Sequence, residues 1–307
     1  MIQLFFGLFC LNSYGLRRSY FNELVDVNGC IFQRISATSG DGGVILISDV
    51  NTNMTIHNSV FFGCIANSGG AIYYQVSSFG RVTLRNICGC NCSSGTWHFA
   101  AVYPKGTHNT IIDALSVAYC SKKKSGTYAF CFYTCPLKSN AINSSNNYNN
   151  YKAALGFVVS TTSESSFCTY FNNSCNDIGI LYLQSGKALI LNSNFVSNTC
   201  TNNGLIYGNG ATINITSSVF LMNSQIVLSM PSGTANVLLS YIDMCSSSMY
   251  SGSVSENKVE CHVALPHTIS HFHTIFCEGS IIQVFPSQIE RKHPLNLILL
   301  CSLIIKL

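Results

Sequence analysis

The chain has 307 residues, 47% of them hydrophobic and only 9% charged, far below the roughly 25% charged usual in soluble domains. Sixteen basic and twelve acidic residues leave a net charge of +4, too mild to imply a nucleic-acid partner. The length allows one large domain or two ordinary ones. Asn, Ser, Thr, Gly and Tyr supply the polarity in place of charge, a pattern common in secreted all-β proteins.

In chain order, residues 1–15 (MIQLFFGLFCLNSYG) read as a signal peptide. Ile2 to Leu11 form its apolar core, and Ser13 and Gly15 are the small residues of a cleavage site; no basic n-region precedes them. Residues 16–280 are then the expected ectodomain. Five Asn-x-Ser/Thr sequons, at Asn53, Asn91, Asn143, Asn172 and Asn214, are its glycosylation candidates. The sixteen cysteines, less Cys10 in the signal and Cys301 in the tail, leave an even fourteen, as expected of an oxidising compartment.

An internal repeat begins at VDVNGCIF (25–32). It recurs as MTIHNSVF (54–61), VTLRNICG (82–89), TIIDALSV (110–117), ALILNSNF (188–195) and INITSSVF (213–220). The first four copies start 29, 28 and 28 residues apart, and the last two 25. The third residue is always aliphatic: Val27, Ile56, Leu84, Ile112, Ile190 and Ile215. The fourth is polar in five copies of six, including His57, Arg85 and Asp113. Adjacent columns of opposite character are what a strand gives, because successive side chains face opposite ways. The fifth column (Gly29, Asn58, Asn86, Ala114, Asn192, Ser217) suits a turn or an internal amide ladder. A second apolar stretch follows each copy, as in GGVILI (42–47) and GGAIYY (69–74).

So even a period of strand, turn, strand, turn predicts an all-β, right-handed parallel β-helix (a pectin-lyase-like solenoid). Its coils run to about 24–29 residues, and each hides its apolar residues against the coils above and below. The expected core is the aliphatic column together with Phe32, Phe61, Phe195 and Phe220. Cys64, Cys92 and Cys120 lie 28 residues apart, so neighbouring coils place them about 4.8 Å from each other. Such a column permits disulfides between adjacent coils or a buried stack of thiols. Cys88, Cys90 and Cys92 alternate as if sharing one strand face. Residues 139–150 (SNAINSSNNYNN) are of low complexity and read as a protruding loop, and 246–258 as another. Residues 281–307 hold a flank, Glu290-Arg291-Lys292-His293, and an apolar tail from Leu295 to Leu307. That tail is shorter than the ~17–25 residues of a spanning helix, so a shortened membrane anchor, a lipid-anchor signal and a capping strand all fit it.

Gly69-Gly70-Ala71-Ile72, Phe195-Val196-Ser197-Asn198 and Phe220-Leu221-Met222-Asn223 match the GGA[I/L/V] and FxxN motifs of polymorphic outer-membrane-protein repeats, and Gly42-Gly43-Val44-Ile45 is a near match. Over residues 25–240 the chain resembles that family. The resemblance implies a right-handed parallel β-helix with a surface adhesion or antigenic role. Most coils lack the glycine pair.

Enzymes on this fold need clustered carboxylates, to bind Ca²⁺ or to divide acid and base roles. Here the acidic residues are scattered, with no Asp-Asp, Asp-x-Asp or Glu-x-Asp pair, no G-x-S-x-G turn and no phosphate-binding glycine loop. No catalytic residue and no cofactor is expected. His57, Arg85 and Asp113 can stack as a sugar-binding patch or as a surface ion-pair row. Lys122, Lys123 and Lys124 form a basic turn that can touch acidic glycans or a membrane surface. His267, His271 and His273 are weak candidates for a metal site. The reading is a secreted or cell-surface solenoid acting by contact with a host or neighbouring surface protein or glycan, with membrane attachment through the tail. The alternative is a polysaccharide-acting lyase or hydrolase.

Overall fold

The computed structural model describes residues 18–20, 24–37, 39–105, 110–120, 126–133, 136–149, 155–158, 162–224, 226–243, 248–262 and 266–267. Among them the chain is an all-β parallel β-solenoid of about eight turns, about 26 residues each, with no helix. Strands pair in parallel with their counterparts one coil away, as Leu24–Asn28 does with Asn53–Phe62, and that strand with Val82–Cys90.

The expected aliphatic column is present as two runs in one register. Val27 pairs with Ile56, Ile56 with Leu84, and Leu84 with Ile112; further on, Ile190 pairs with Ile215 and Ile215 with Val237. Between the two runs the column passes through Ser139 and Ser165, whose buried hydroxyls hydrogen-bond at 2.7 Å. Segment 139–150 is therefore not a protruding loop. Leu137–Ser145 and Tyr148–Asn149 are strands of a regular coil, whose polar side chains bond to the coils beside it instead of to water. Likewise Tyr250–Asn257, within the second stretch read as a loop, is a strand in parallel register with Leu228–Leu238.

The aromatic column runs Phe32, Phe61, Gly89, Val117, Ser144, Tyr170, Phe195, Phe220. Rings stack at 5.0 Å (Phe32–Phe61), 4.8 Å (Tyr170–Phe195) and 4.7 Å (Phe195–Phe220). Where the column drops to Gly89, the ring of Phe99 fills the space from the opposite wall and meets Phe61 edge-on at 5.9 Å. Burying each such ring or aliphatic chain contributes about 1.5–3 kcal/mol.

The corners explain the motifs. Among the described residues, the sixteen non-glycine residues with positive φ, at 47–55°, fall in two columns, one on each side of the four-residue strand that carries the aromatic. The first holds Asn58, Asn86, Ala114, Ala141, Phe167, Asn192, Ser217, Leu239 and Lys258. The second holds Arg34, Asn91, Tyr119, Asn146, Asn172, Ser197 and Met222. The fifth repeat column is thus a turn, and its amides bond on the outside, Asn86 Nδ2 donating to Asn58 Oδ1 at 2.9 Å. A left-handed residue swings the chain from one wall to the next, and Gly and Asn tolerate it best.

The internal amide ladder lies one residue past the second corner. Asn147, Asn173, Asn198 and Asn223 each donate Nδ2 to a carbonyl of the aromatic column one coil back: Val117, Ser144, Tyr170 and Phe195. Each Oδ1 accepts the backbone N–H of the equivalent residue on that earlier coil, at 2.9–3.0 Å. F-x-x-N is therefore core ring, outward residue, left-handed corner, ladder amide. The glycine pair marks another turn. Gly69 has φ +58°, and a Cβ on Gly70 would collide with the carbonyl oxygen of His98 on the next coil.

Two outcomes are expected in urea unfolding. Ala114→Gly, at a left-handed corner, should raise stability by about 1 kcal/mol, because a Cβ there costs about 1–2 kcal/mol that glycine avoids. Asn173→Ala should lower it by about 1–3 kcal/mol, because the Asn147 N–H and the Ser144 carbonyl lose a buried partner.

Candidate contact surfaces

Two outer faces and two buried features carry the chemistry. On the outer face of the sheet that contains the aliphatic column, residues of adjacent strands form two parallel rows. One runs Asn28, His57, Arg85, Asp113, Asn140, Ser166; the other, two residues earlier on each strand, runs Asp26, Thr55, Thr83, Ile111, Lys138, Glu164. The stacking of His57, Arg85 and Asp113 expected from the repeat is present. His57 Nε2 meets Asp26 Oδ1 at 2.9 Å. Asn140 Nδ2 donates to Asp113 Oδ1 at 2.9 Å. Arg85, Asp113, Lys138, Asn140, Glu164 and Ser166 line a depression of about 270 Å³ together with Ile111. Within the described residues the ion pairs are His57–Asp26 and His262–Glu260, so none of the four charges at the depression is paired.

The second face belongs to the sheet that follows each glycine turn. Ile72, Tyr74, Val102 and Phe132 point inward there, and their neighbours Tyr73, Tyr103 and Tyr133 point out. Tyr103 and Tyr133 stack with centroids 4.3 Å apart and planes 12° apart, and Trp97 meets both edge-on at 5.6 and 6.3 Å. Trp97, Tyr133 and Tyr207 pack over buried Tyr128, Cys131 and Tyr182, an apolar cluster separate from the main core. Burial holds the Tyr103 and Tyr133 hydroxyls above their ordinary range, so they stay protonated donors.

Inside, Cys64, Cys92 and Cys120 occupy the column that continues as the asparagine ladder. Their Sγ atoms face the carbonyls of Phe32, Phe61 and Gly89 at 3.8, 3.5 and 3.7 Å, as the amides of later coils do. The disulfide candidates thus form the thiol stack, all three free and buried. Hydrogen bonding to Cys92 and burial push the Cys64 thiol well up, and burial does the same at Cys120. Cys88 and Cys261 each take part in a disulfide. Cys88 and Cys90 do not share a face with Cys92. They join an outer cluster with Val60, and Cys92 enters the core because Asn91, at φ +55°, breaks the alternation.

Of the sequons, Asn53 and Asn172 are exposed and Asn91 and Asn214 half-exposed. Asn143 is a correction: it is 3% exposed within Leu137–Ser145, where no glycan fits in the folded state. His267 is held by the solenoid, its N–H donating to Asn194 Oδ1 at 2.8 Å and its ring meeting the Ser217 carbonyl. His271, His273, Lys122, Lys123 and Lys124 lie outside the described residues, as do the signal segment and the tail. Sequence reasoning missed Lys138 and Glu164. Their signal was the coil period itself, which places Lys138 two residues before the strand equivalent of Asp113.

Compared with known proteins, the chain matches no family model, no curated protein and no solved structure. Its class, a parallel β-solenoid, therefore rests on the register of its own strands.

His98 is buried, its Nδ1 accepting the Ser94 N–H at 3.2 Å, and burial lowers its pKa from 6.5 to about 4. The folded chain therefore binds fewer protons than the unfolded one between those values, and its stability falls as pH drops through that window. Urea unfolding at pH 7 and pH 4.5 should show a loss that shrinks by about 2–3 kcal/mol in His98→Asn, which keeps the acceptor and removes the titration.

Proposed function

We propose that the protein is a secreted or cell-surface β-solenoid that acts by contact, without catalysis, on a host or neighbouring surface protein or glycan. The observation that carries this reading is the outward aromatic face of Trp97, Tyr103 and Tyr133. Trp and Tyr give large, rigid contact area at low entropic cost. The signal-like N-terminus, the four accessible sequons and the low charge support an exported, glycosylated surface protein. The GGAI and FxxN motifs support kinship with polymorphic outer-membrane-protein repeats, whose members are surface adhesins and antigens. Attachment through the apolar tail completes the proposal.

The test is binding of the purified full chain to host-cell monolayers. Tyr103→Ala with Tyr133→Ala should weaken binding at least about tenfold, as the loss of a central aromatic anchor does, with the unfolding transition retained. Sustained turnover of pectin, hyaluronan or mucin glycans by the wild-type chain would overturn the non-catalytic reading.

A further inference from the structure

From the depression between Arg85 and Glu164 we infer a binding site for a neutral, linear, hydroxyl-rich glycan lying across the strands. The inference rests on the contact reading above and names one partner class for it.

Charge is scarce in this chain, and away from the depression the same two rows hold the Asp26–His57 pair and otherwise uncharged residues, among them Asn28, Thr55, Leu189, Leu191, Asn214 and Thr216. Across four consecutive coils they instead carry Arg85, Asp113, Lys138 and Glu164. Arg85 stands opposite Asp113, and Lys138 opposite Glu164, on adjacent strands about 4.8 Å apart. Each couple is close enough to pair, yet neither does. An exposed ion pair is worth only about 0–1 kcal/mol, so a ligand that engages these groups displaces little.

The ligand class follows from the sum of the charges. Two cations and two carboxylates cancel, so a strongly acidic or basic ligand gains on two groups and loses on the other two. A sugar hydroxyl both donates and accepts, so vicinal hydroxyls can donate to Asp113 and Glu164 and accept from Arg85 and Lys138 together. Asp113 is already oriented by Asn140 Nδ2 at 2.9 Å, and Ser166 continues the polar row. Half-buried Ile111, in the lining, offers an apolar surface for the C–H face of a pyranose ring. The strand backbone is spent on sheet hydrogen bonds, so a peptide, which recognises sheets through their edges, finds no donors or acceptors on this face. A glycan running along the solenoid axis meets one charged group per strand, a step about as long as one sugar ring, and each donor–acceptor couple spans two strands.

Isothermal titration of the full chain with neutral hexasaccharides of glucose, mannose and N-acetylglucosamine tests this, with a hyaluronan hexasaccharide and heparin as acidic controls. At least one neutral hexasaccharide should bind, with an affinity that shifts less than about twofold between low and high salt, because no net charge is neutralised. Arg85→Ala with Lys138→Ala should weaken it at least about tenfold, and the milder Glu164→Gln should weaken it too, with circular dichroism and the unfolding transition unchanged. Absence of neutral binding, binding confined to the acidic controls with steep salt dependence, or binding indifferent to both variants would each overturn the inference. Cell binding by the same variants separates the two readings. Its retention alongside failed glycan binding leaves the contact reading standing and removes only the glycan. Loss in Tyr103→Ala/Tyr133→Ala with glycan binding intact assigns the two faces separate tasks.

Discussion

Everything in this solenoid depends on parallel backbone register held across successive coils. In parallel sheets each residue sits directly over its equivalent, so every position becomes a column and every column must be chemically tolerable all the way along. The clearest instance is the row of carbonyls from Phe32 to Phe195. Seven in succession are met by a side chain of the next coil, first by the thiols of Cys64, Cys92 and Cys120 and then by the amides of Asn147, Asn173, Asn198 and Asn223. The chemistry changes midway but the geometry does not. A thiol is a weak donor and an amide a strong one, so the same position is mostly packing in the early coils and mostly hydrogen bonding in the later ones.

Because a coil closes in about 26 residues, its corners must be tight. Left-handed residues supply them, and the strict placement of the non-glycine ones in two columns shows that the corner, more than the strand, defines the period. A chain this poor in charge wets its outside with the same Asn and Ser that turn the corners. Composition and architecture are therefore one fact.

Legibility in the sequence followed the same logic. The aliphatic and aromatic columns could be read where large side chains repeat, at Val27 to Ile112 and at Ile190 to Ile215. They vanished where Ser139, Ser165 and Ser144 take those places, since buried serines that bond to one another or to ladder amides look like loop residues in one dimension. The low-complexity stretch at 139–150 misled for that reason: its amides and hydroxyls are internal. The stacking of His57, Arg85 and Asp113 was readable from spacing, but Lys138 and Glu164 became neighbours only once those coils were in register. The tyrosine face was visible only as composition, because outward and inward aromatics alternate in the same short strands and the pleat alone separates them. The thiol stack was one of two outcomes the spacing allowed, and spacing cannot weigh oxidation against packing.

The left-handed corners have one more effect. Half of the large apolar side chains that project most freely from the described surface, Tyr119, Phe167, Met222 and Leu239, stand at these positions. A corner asks of its occupant only a backbone torsion and nothing of its side chain's size or polarity. Two margins of the rod can therefore change their outward chemistry coil by coil, greasy in one and amide-rich in the next, while the interior keeps its fit: a molecule built to hold its shape and alter its face.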